Sequence, residues 1–190
     1  MIIHLNGWPG IGKLTIGRVL AERLGARLVD NHLLHDVAIR CAGLQDPQRW
    51  PLYEAVRIAA YDVLANRPAS ETFVMTNALC VNAPREIEAW RHVVDLAVKR
   101  NAVLIPVVLG GGLEENMRRL QSPDRVGRKL TDPRALAAFM SSGRLQKPDV
   151  PELLELDTTG LFPPDSAAAI ERHVKQVRPN PANAGHLKFR

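Results

Sequence analysis

Close to its N-terminus the chain places Gly7-Trp8-Pro9-Gly10-Ile11-Gly12-Lys13 between the apolar run MIIHLN and an amphipathic stretch that begins at Leu14 and Thr15. A glycine-rich turn between a strand and a helix points successive backbone N–H groups into one concavity, and the helix behind it adds unsatisfied donors and the positive end of its dipole. Such a turn is shaped for phosphates. Lys13 adds a mobile charge that can follow the β- and γ-phosphates, so the spacing G-x-x-x-x-G-K specifies a nucleoside triphosphate. The competing reading, a chance glycine turn, does not account for the strand before it and the helix after it. The residue after the lysine is Leu14, which cannot ligate a metal. Thr15 follows. It can hold a magnesium-bound water, contact the α-phosphate, or simply support the helix start, and Mg²⁺ is then expected to be bound mainly by phosphates and waters.

Other residue types suited to chemistry follow at intervals. ARLVDNHLLHD ends a second apolar run at Asp30. Ligands of parallel sheets sit beyond the carboxyl ends of the strands, so a carboxylate there can orient an acceptor hydroxyl and take its proton. The same residue type also caps helices. Asn31 and His32 are neighbours able to touch a substrate or lie on the surface. His32 and His35 stand near Asp36 and Cys41, but the spacing matches no strong zinc pattern. Arg57 shares a helical face with Trp50 and Tyr53. It suits an anionic group, or its stem covers apolar surface. Thr76 and Asn77 stand where many phosphate-loop enzymes carry an aspartate for magnesium, and neither brings a charge. Asn82 and Arg85 open the next helical stretch, as pocket lining or, for Asn82, as a cap. Arg118, Arg119, Arg125, Arg128 and Lys129 gather in GGGLEENMRRLQSPDRVGRKLTDP. Such cations can stabilise a transferring phosphoryl group from a lid, or form a solvated loop. Asp157, Thr158, Thr159 and Gly160 follow the last apolar run.

GWPGIGKLT resembles the phosphate loop of small P-loop kinases, where G-x-P-G-x-G-K-x-T is familiar, and adenylate-kinase-like enzymes also lack the hydroxyl directly after lysine. The order of the remaining segments is similar to shikimate kinase and chloramphenicol phosphotransferase over all but the tail. The resemblance implies an aspartate at Asp30 that works on the acceptor and an acceptor-binding arginine at Arg57. It also implies lid arginines at Arg125 and Arg128, with Arg118 next, and a loop after the last strand that passes beside the purine, with Thr159 in contact. Nucleotide contacts from Gly7 through Thr15 complete that set.

These groups must be positioned by elements. MIIHLN, ARLVD, TFVMTNAL, AVLIPVVLG and ELLELD each read as short buried strands. Between them Ile16, Val19, Leu20 and Leu24 mark one helical face. Trp50, Tyr53, Val56, Arg57, Ala60 and Leu64 mark a second, and Ile87, Trp90, Val94 and Val98 a third. Asp46-Pro47 and Asp132-Pro133 read as N-caps with proline at the first helical position. Alternation of strands and helices argues an α/β fold, a parallel sheet with helices on both faces. The resemblance to small P-loop kinases implies the three-layer P-loop NTPase form of it, with five strands in the order 2-3-1-4-5 and a small lid. One domain is expected over 1–176, with a lid at about 118–132 and a loosely packed basic tail over 177–190.

Length and composition are those of an ordinary globular protein. No apolar run is long enough to cross a membrane, and no basic leader precedes the first strand, so a cytoplasmic location is expected. Cys41 and Cys80 are expected to be reduced, buried thiols. The net charge of +5 drops to +1 once the bases Lys175, Arg178, Lys188 and Arg190 of the acid-free tail are set aside, which argues against a nucleic-acid partner. The expectation is a phosphotransferase that uses ATP or GTP with Mg²⁺, acting on a hydroxyl of a metabolite or antibiotic, as a monomer or homodimer. Substrate contacts are expected from Asp30, Asn31, His32, Tyr53, Arg57, Asn77 and Asn82. The rivals are a nucleoside or nucleotide kinase and, from another class, a nucleotide-binding regulatory protein.

Overall fold

The structure is a computed structural model, and it describes residues 1–120 and 132–177. Five strands, β1 (Ile2–Gly7), β2 (Arg27–Asp30), β3 (Phe73–Asn77), β4 (Leu104–Gly110) and β5 (Leu154–Asp157), pair in the order β2-β3-β1-β4-β5, all parallel. The expected sheet order is therefore the observed one. Among the described residues the helices are α1 (Lys13–Leu24), α2 (Asn31–Ala42), α3 (Arg49–Ala65), α4 (Pro84–Lys99), α5 (Leu113–Leu120), α6 (Pro133–Ser142) and α7 (Pro163–Gln176).

The central strands are buried on both sides, which is why they read as continuous apolar runs. Alternation along each strand divides their side chains between two cores. Ile2, Phe73 and Met75 pack with Tyr61 and Leu64 of α3 and with Trp90, Val93, Val94 and Leu96 of α4. Ile3, Leu5, Val74 and Ile105 pack with Ile16 and Leu20 of α1 and Ala167 and Ile170 of α7. The same alternation decides where polar residues near the strand ends point, and so it shapes the site.

Several local expectations are corrected. Val98 is half exposed, and Val93, Leu96 and Ala97 carry the inner face of α4 in its place. The exposure of Cys41 corrects the expectation of two buried thiols. Cys80 is buried, and burial followed by the charge of Glu86 pushes its thiol up to about 12. Asp132 caps α6 by accepting a hydrogen bond from Arg134 N, as expected. Asp46 instead accepts from Gln48 N in a turn, and α3 starts later, at Arg49. Asn82 caps nothing, because the N-cap of α4 is Ala83. No described helix is long and apolar enough to cross a membrane.

Candidate active site

The phosphate loop leaves β1 at Gly7 and enters α1 at Lys13. Gly12 is the N-cap of α1 with φ 101°, a left-handed conformation in which a β-carbon would be strained, and no side chain caps the helix. The first-turn amides of α1 are thus left to an anion. Gly10 also has a positive φ, of 90°, and a β-carbon there would lie 2.7 Å from Asn116 Oδ1. Lys13 Nζ donates to the carbonyls of Gly7 at 2.6 Å and Trp8 at 2.9 Å. An ammonium held by loop carbonyls sits beside the space that a polyphosphate would fill. The concavity, the uncapped helix and the lysine fit a nucleotide. Thr15 is exposed in the first turn of α1 and Leu14 is half-buried, so a magnesium ion here would rely on phosphate and water oxygens. Among the described residues no cluster of His, Cys, Asp or Glu could hold a metal, which leaves the His32–His35–Asp36–Cys41 grouping without that role.

Two strands away, Asp30 is 6% exposed and ends β2 level with Thr76 of β3, which in turn is level with Leu5 of β1. Its carboxylate Oδ1 accepts from Thr76 Oγ1 at 2.7 Å and from His32 N at 3.4 Å. The two readings of Asp30 therefore coexist, because the residue is both the N-cap of α2 and an acid at a strand end. Thr76 faces α1, where its methyl carbon would lie 3.5 Å from a β-carbon placed at Gly17. Asp30 and Thr76 thus share the sheet face that carries the phosphate loop's helix.

Asn77, one residue on, faces the other way, and its Oδ1 lies 3.0 Å from Nε2 of the buried His4. Burial, opposed by this contact, holds the His4 imidazole down at about 4. The placement of Asn77 in that core, against His4, is away from Asp30.

Side chains from α2 and α3 gather at Asn31, the residue after Asp30. Tyr53 Oη donates to Asn31 Oδ1 at 2.6 Å, and Asn31 N donates to Thr76 Oγ1 at 3.4 Å. His35 stacks on Tyr53 with ring centroids 3.7 Å apart. Burial and then the charges of His32, Arg49 and Arg57 hold His35 down at about 4, while burial raises the Tyr53 phenol. Arg57 is 1% exposed, lies over the Tyr53 ring at 5.1 Å and pairs with Glu54. Its Nε–H has no partner among the described residues. Trp50 is flanked by Arg49 at 4.5 Å and Arg85 at 4.4 Å. His32 is half-buried on the first turn of α2.

The sequence singled out Arg118, but its side chain is 74% exposed and pairs with Glu115. Arg119, named only as one of a charged group, is the arginine that turns inward. It donates to Ile11 O at 3.2 Å and Thr158 O at 3.4 Å while pairing with Glu115 at 2.7 Å. Its signal was periodicity, since 115 and 119 are one helical turn apart beside the buried Asn116 and Leu120. The two hydrogen-bonded ion pairs hold the Glu115 carboxyl down at about 2. Arg125, Arg128 and Lys129 lie outside the described residues, as does the rest of the expected lid over 121–131 and the tail from 178.

After β5, Thr158 donates through N and through Oγ1 to Gly110 O, both at 2.9 Å, and Gly112 N donates to Thr159 Oγ1 at 2.9 Å. The turn is thereby fixed to the end of β4. Asn6 was not singled out from the sequence, although a polar residue in an otherwise apolar strand next to the glycine motif was the signal. Its amide accepts from Leu79 N and donates to Leu79 O and Gln146 O, tying the loop after β3 to the segment after α6. Asn82 closes the same junction by donating to Ser142 O at 2.7 Å. Trp8 meets Phe139 of α6 edge-on at 5.2 Å. A cleft of about 970 Å³ opens between Trp8, Gly110–Gly112, Met140, Arg144 and Thr159. It adjoins the phosphate loop, and Asp30 and Arg57 are not in its walls.

No protein-family model matches the chain, and no curated protein matches it. Solved structures do. A Chloroflexus aurantiacus protein superposes with a TM-score of 0.67 at 19% identity, over 93% of this chain and 98% of that one. Shikimate kinase from Acinetobacter baumannii, solved with shikimate, gives 0.58 at 18% identity over 92% and 93%. The Mycobacterium tuberculosis APS kinase, solved with AMPPNP and APS, gives 0.58 at 16% identity over 92% and 96%. At these identities the likeness is one of fold, and the chain shares that fold with shikimate kinase, gluconokinase and APS kinase.

Proposed function

We propose that the chain is a phosphotransferase that moves the γ-phosphoryl group of ATP or GTP to a hydroxyl of a small molecule. The observation that carries this reading is the pairing of two features on one sheet face. An uncapped, lysine-bearing loop follows β1, and a buried carboxylate ends β2. With β3 between them, the two strands lie about 10 Å apart at the usual strand spacing, which leaves room for a phosphoryl group and an acceptor hydroxyl.

The amides from Gly7 to Thr15 and Lys13 would hold the triphosphate, Lys13 exchanging its contacts with the Gly7 and Trp8 carbonyls for phosphate oxygens. Mg²⁺ would supply charge neutralisation on the phosphates, and Thr15, in the first turn of α1, would hold it through water. The acceptor oxygen forms its bond to the γ-phosphorus as its proton passes to the Asp30 carboxylate. The bond from that phosphorus to the β–γ bridging oxygen breaks, and a nucleoside diphosphate leaves. Asn31, His32, Tyr53 and Arg57 would shape the acceptor side, and Arg119, Arg125 and Arg128 would supply cations over the transferring group, with Arg118 joining them only by leaving Glu115. Thr159 and the turn it belongs to would border the nucleoside.

The rings of α3 on the Asn31 side are already engaged, Tyr53 by His35 and Arg57 and Trp50 by Arg49 and Arg85, which favours a polar, hydroxyl-bearing acceptor over a stacked base. The test is transfer of label from γ-labelled ATP and GTP to a panel of sugar acids, polyols, nucleosides and hydroxylated antibiotics. Label in an alcohol ester, lost in Asp30→Asn with nucleotide binding retained, is the expected result. Label reaching only water across the panel would overturn the reading in favour of a nucleotide-binding regulator.

A further inference from the structure

We infer that Thr76 is a positioning residue for the acid that receives the acceptor's proton, an inference that rests on the role proposed above for Asp30. Thr76 is the last residue but one of β3, near a strand end where a carboxylate for magnesium is common, and nothing in the sequence says what the hydroxyl is for. The structure supplies the use. Thr76 is 3% exposed, and its Oγ1–H donates to Asp30 Oδ1 at 2.7 Å. The direction of that bond is set by its partners, because a carboxylate only accepts and the hydroxyl must donate. Asn31 N–H meanwhile donates to the same Oγ1 at 3.4 Å, using one of its lone pairs. The chain Asn31 N–H, Thr76 O–H, Asp30 carboxylate therefore runs one way.

The second donor to the carboxylate, His32 N, falls on the same oxygen at 3.4 Å. Both donors on Oδ1 hold the carboxylate plane and leave Oδ2 as the oxygen for the incoming proton. A base held in this way loses no time to rotamers that face away from the acceptor, which is the gain expected of a preorganised group. The parallel register makes the contact possible, since Asp30 and Thr76 are paired residues of neighbouring strands whose side chains leave the sheet on one face. Thr76 does not touch the reacting atoms in this account and acts only through Asp30.

The variant Thr76→Val keeps the shape and the strand preference and deletes the donor. Thr76→Ser restores the hydroxyl. The readout is release of labelled phosphate from MgATP to water, which needs no identified acceptor, together with transfer to whichever panel alcohol accepts label. Thr76→Val is expected to lower turnover about 10- to 100-fold while the ATP concentration for half-saturation stays within about twofold. Thr76→Ser should recover most of the rate. In the Asp30→Asn background Thr76→Val should cost nothing more, because the group it positions is already gone. A Thr76→Val enzyme at full rate, a Ser variant as slow as the Val variant, or an undiminished loss in the Asp30→Asn background would each overturn the inference. Asp30→Asn at full rate would instead overturn the reading of Asp30 itself, so the two failures are told apart.

Discussion

At the phosphate loop the working groups are main-chain amides, a helix terminus and one lysine, all from residues 7–15. Across β3, around Asp30, they are side chains brought together from β2, β3, α2 and α3, with Thr76 46 positions from Asp30 and Tyr53 22 from Asn31. The first region is local in sequence and depends on backbone conformation. The second is non-local and depends on burial and on which face of a strand a residue takes. The contrast teaches that holding an anion and orienting a proton acceptor place different demands on a chain. An anion site needs donors without side chains in the way. A base needs neighbours that fix its rotamer and stay out of its reactive oxygen.

The largest expected effects test whether the two regions are separable. Lys13→Ala should weaken nucleotide binding and lower turnover by about 100-fold or more. Asp30→Asn should lower turnover by about 100- to 10,000-fold and leave nucleotide affinity nearly unchanged, read by fluorescent-nucleotide titration beside the label assay. Equal losses of affinity in the two variants would merge the regions into one.

Gly10→Ala attacks the loop through its backbone alone. The left-handed φ and the approach to Asn116 should cost about 1–3 kcal/mol of stability and at least about tenfold in nucleotide affinity. Thermal melts with and without nucleotide measure both. A loop variant with native affinity would show that the concavity is not what grips the phosphates.

Acid should reach the second region and the core beneath it. His4 and His35 both titrate at about 4 in the folded chain against 6.5 when free. Below 6.5 the unfolded chain takes up protons first, so stability is complete above 6.5 and is lost as pH falls toward 4. The loss is on the order of 1–3 kcal/mol per histidine over that window. His35→Phe, which keeps the stack on Tyr53, should make the fall in melting temperature between pH 6.5 and 4.5 shallower. An unchanged slope would remove His35 from the account.

The smallest effect is Tyr53→Phe. Loss of the hydrogen bond to Asn31 should cost about 1 kcal/mol and reduce turnover only a few-fold, because Asn31 meets Thr76 through its backbone N–H. Melting and steady-state rates read it directly.

What could be read from the amino-acid order alone was whatever depends on neighbours in the chain. The glycine spacing, the five apolar runs and the Asp132 cap follow from backbone geometry and from burial on two faces, whereas the sheet order was legible only through the resemblance of the glycine motif to a known fold. Tertiary structure decided the rest. Adjacent residues in a strand leave on opposite faces, so Thr76 went to Asp30 and Asn77 to His4, although in sequence they looked interchangeable. Adjacent residues in a helix differ by about 100°, so Arg119 turned to the phosphate loop and Arg118 to solvent. Which of two neighbouring polar residues reaches a site depends on what packs against it, and that is set by contacts dozens of residues away.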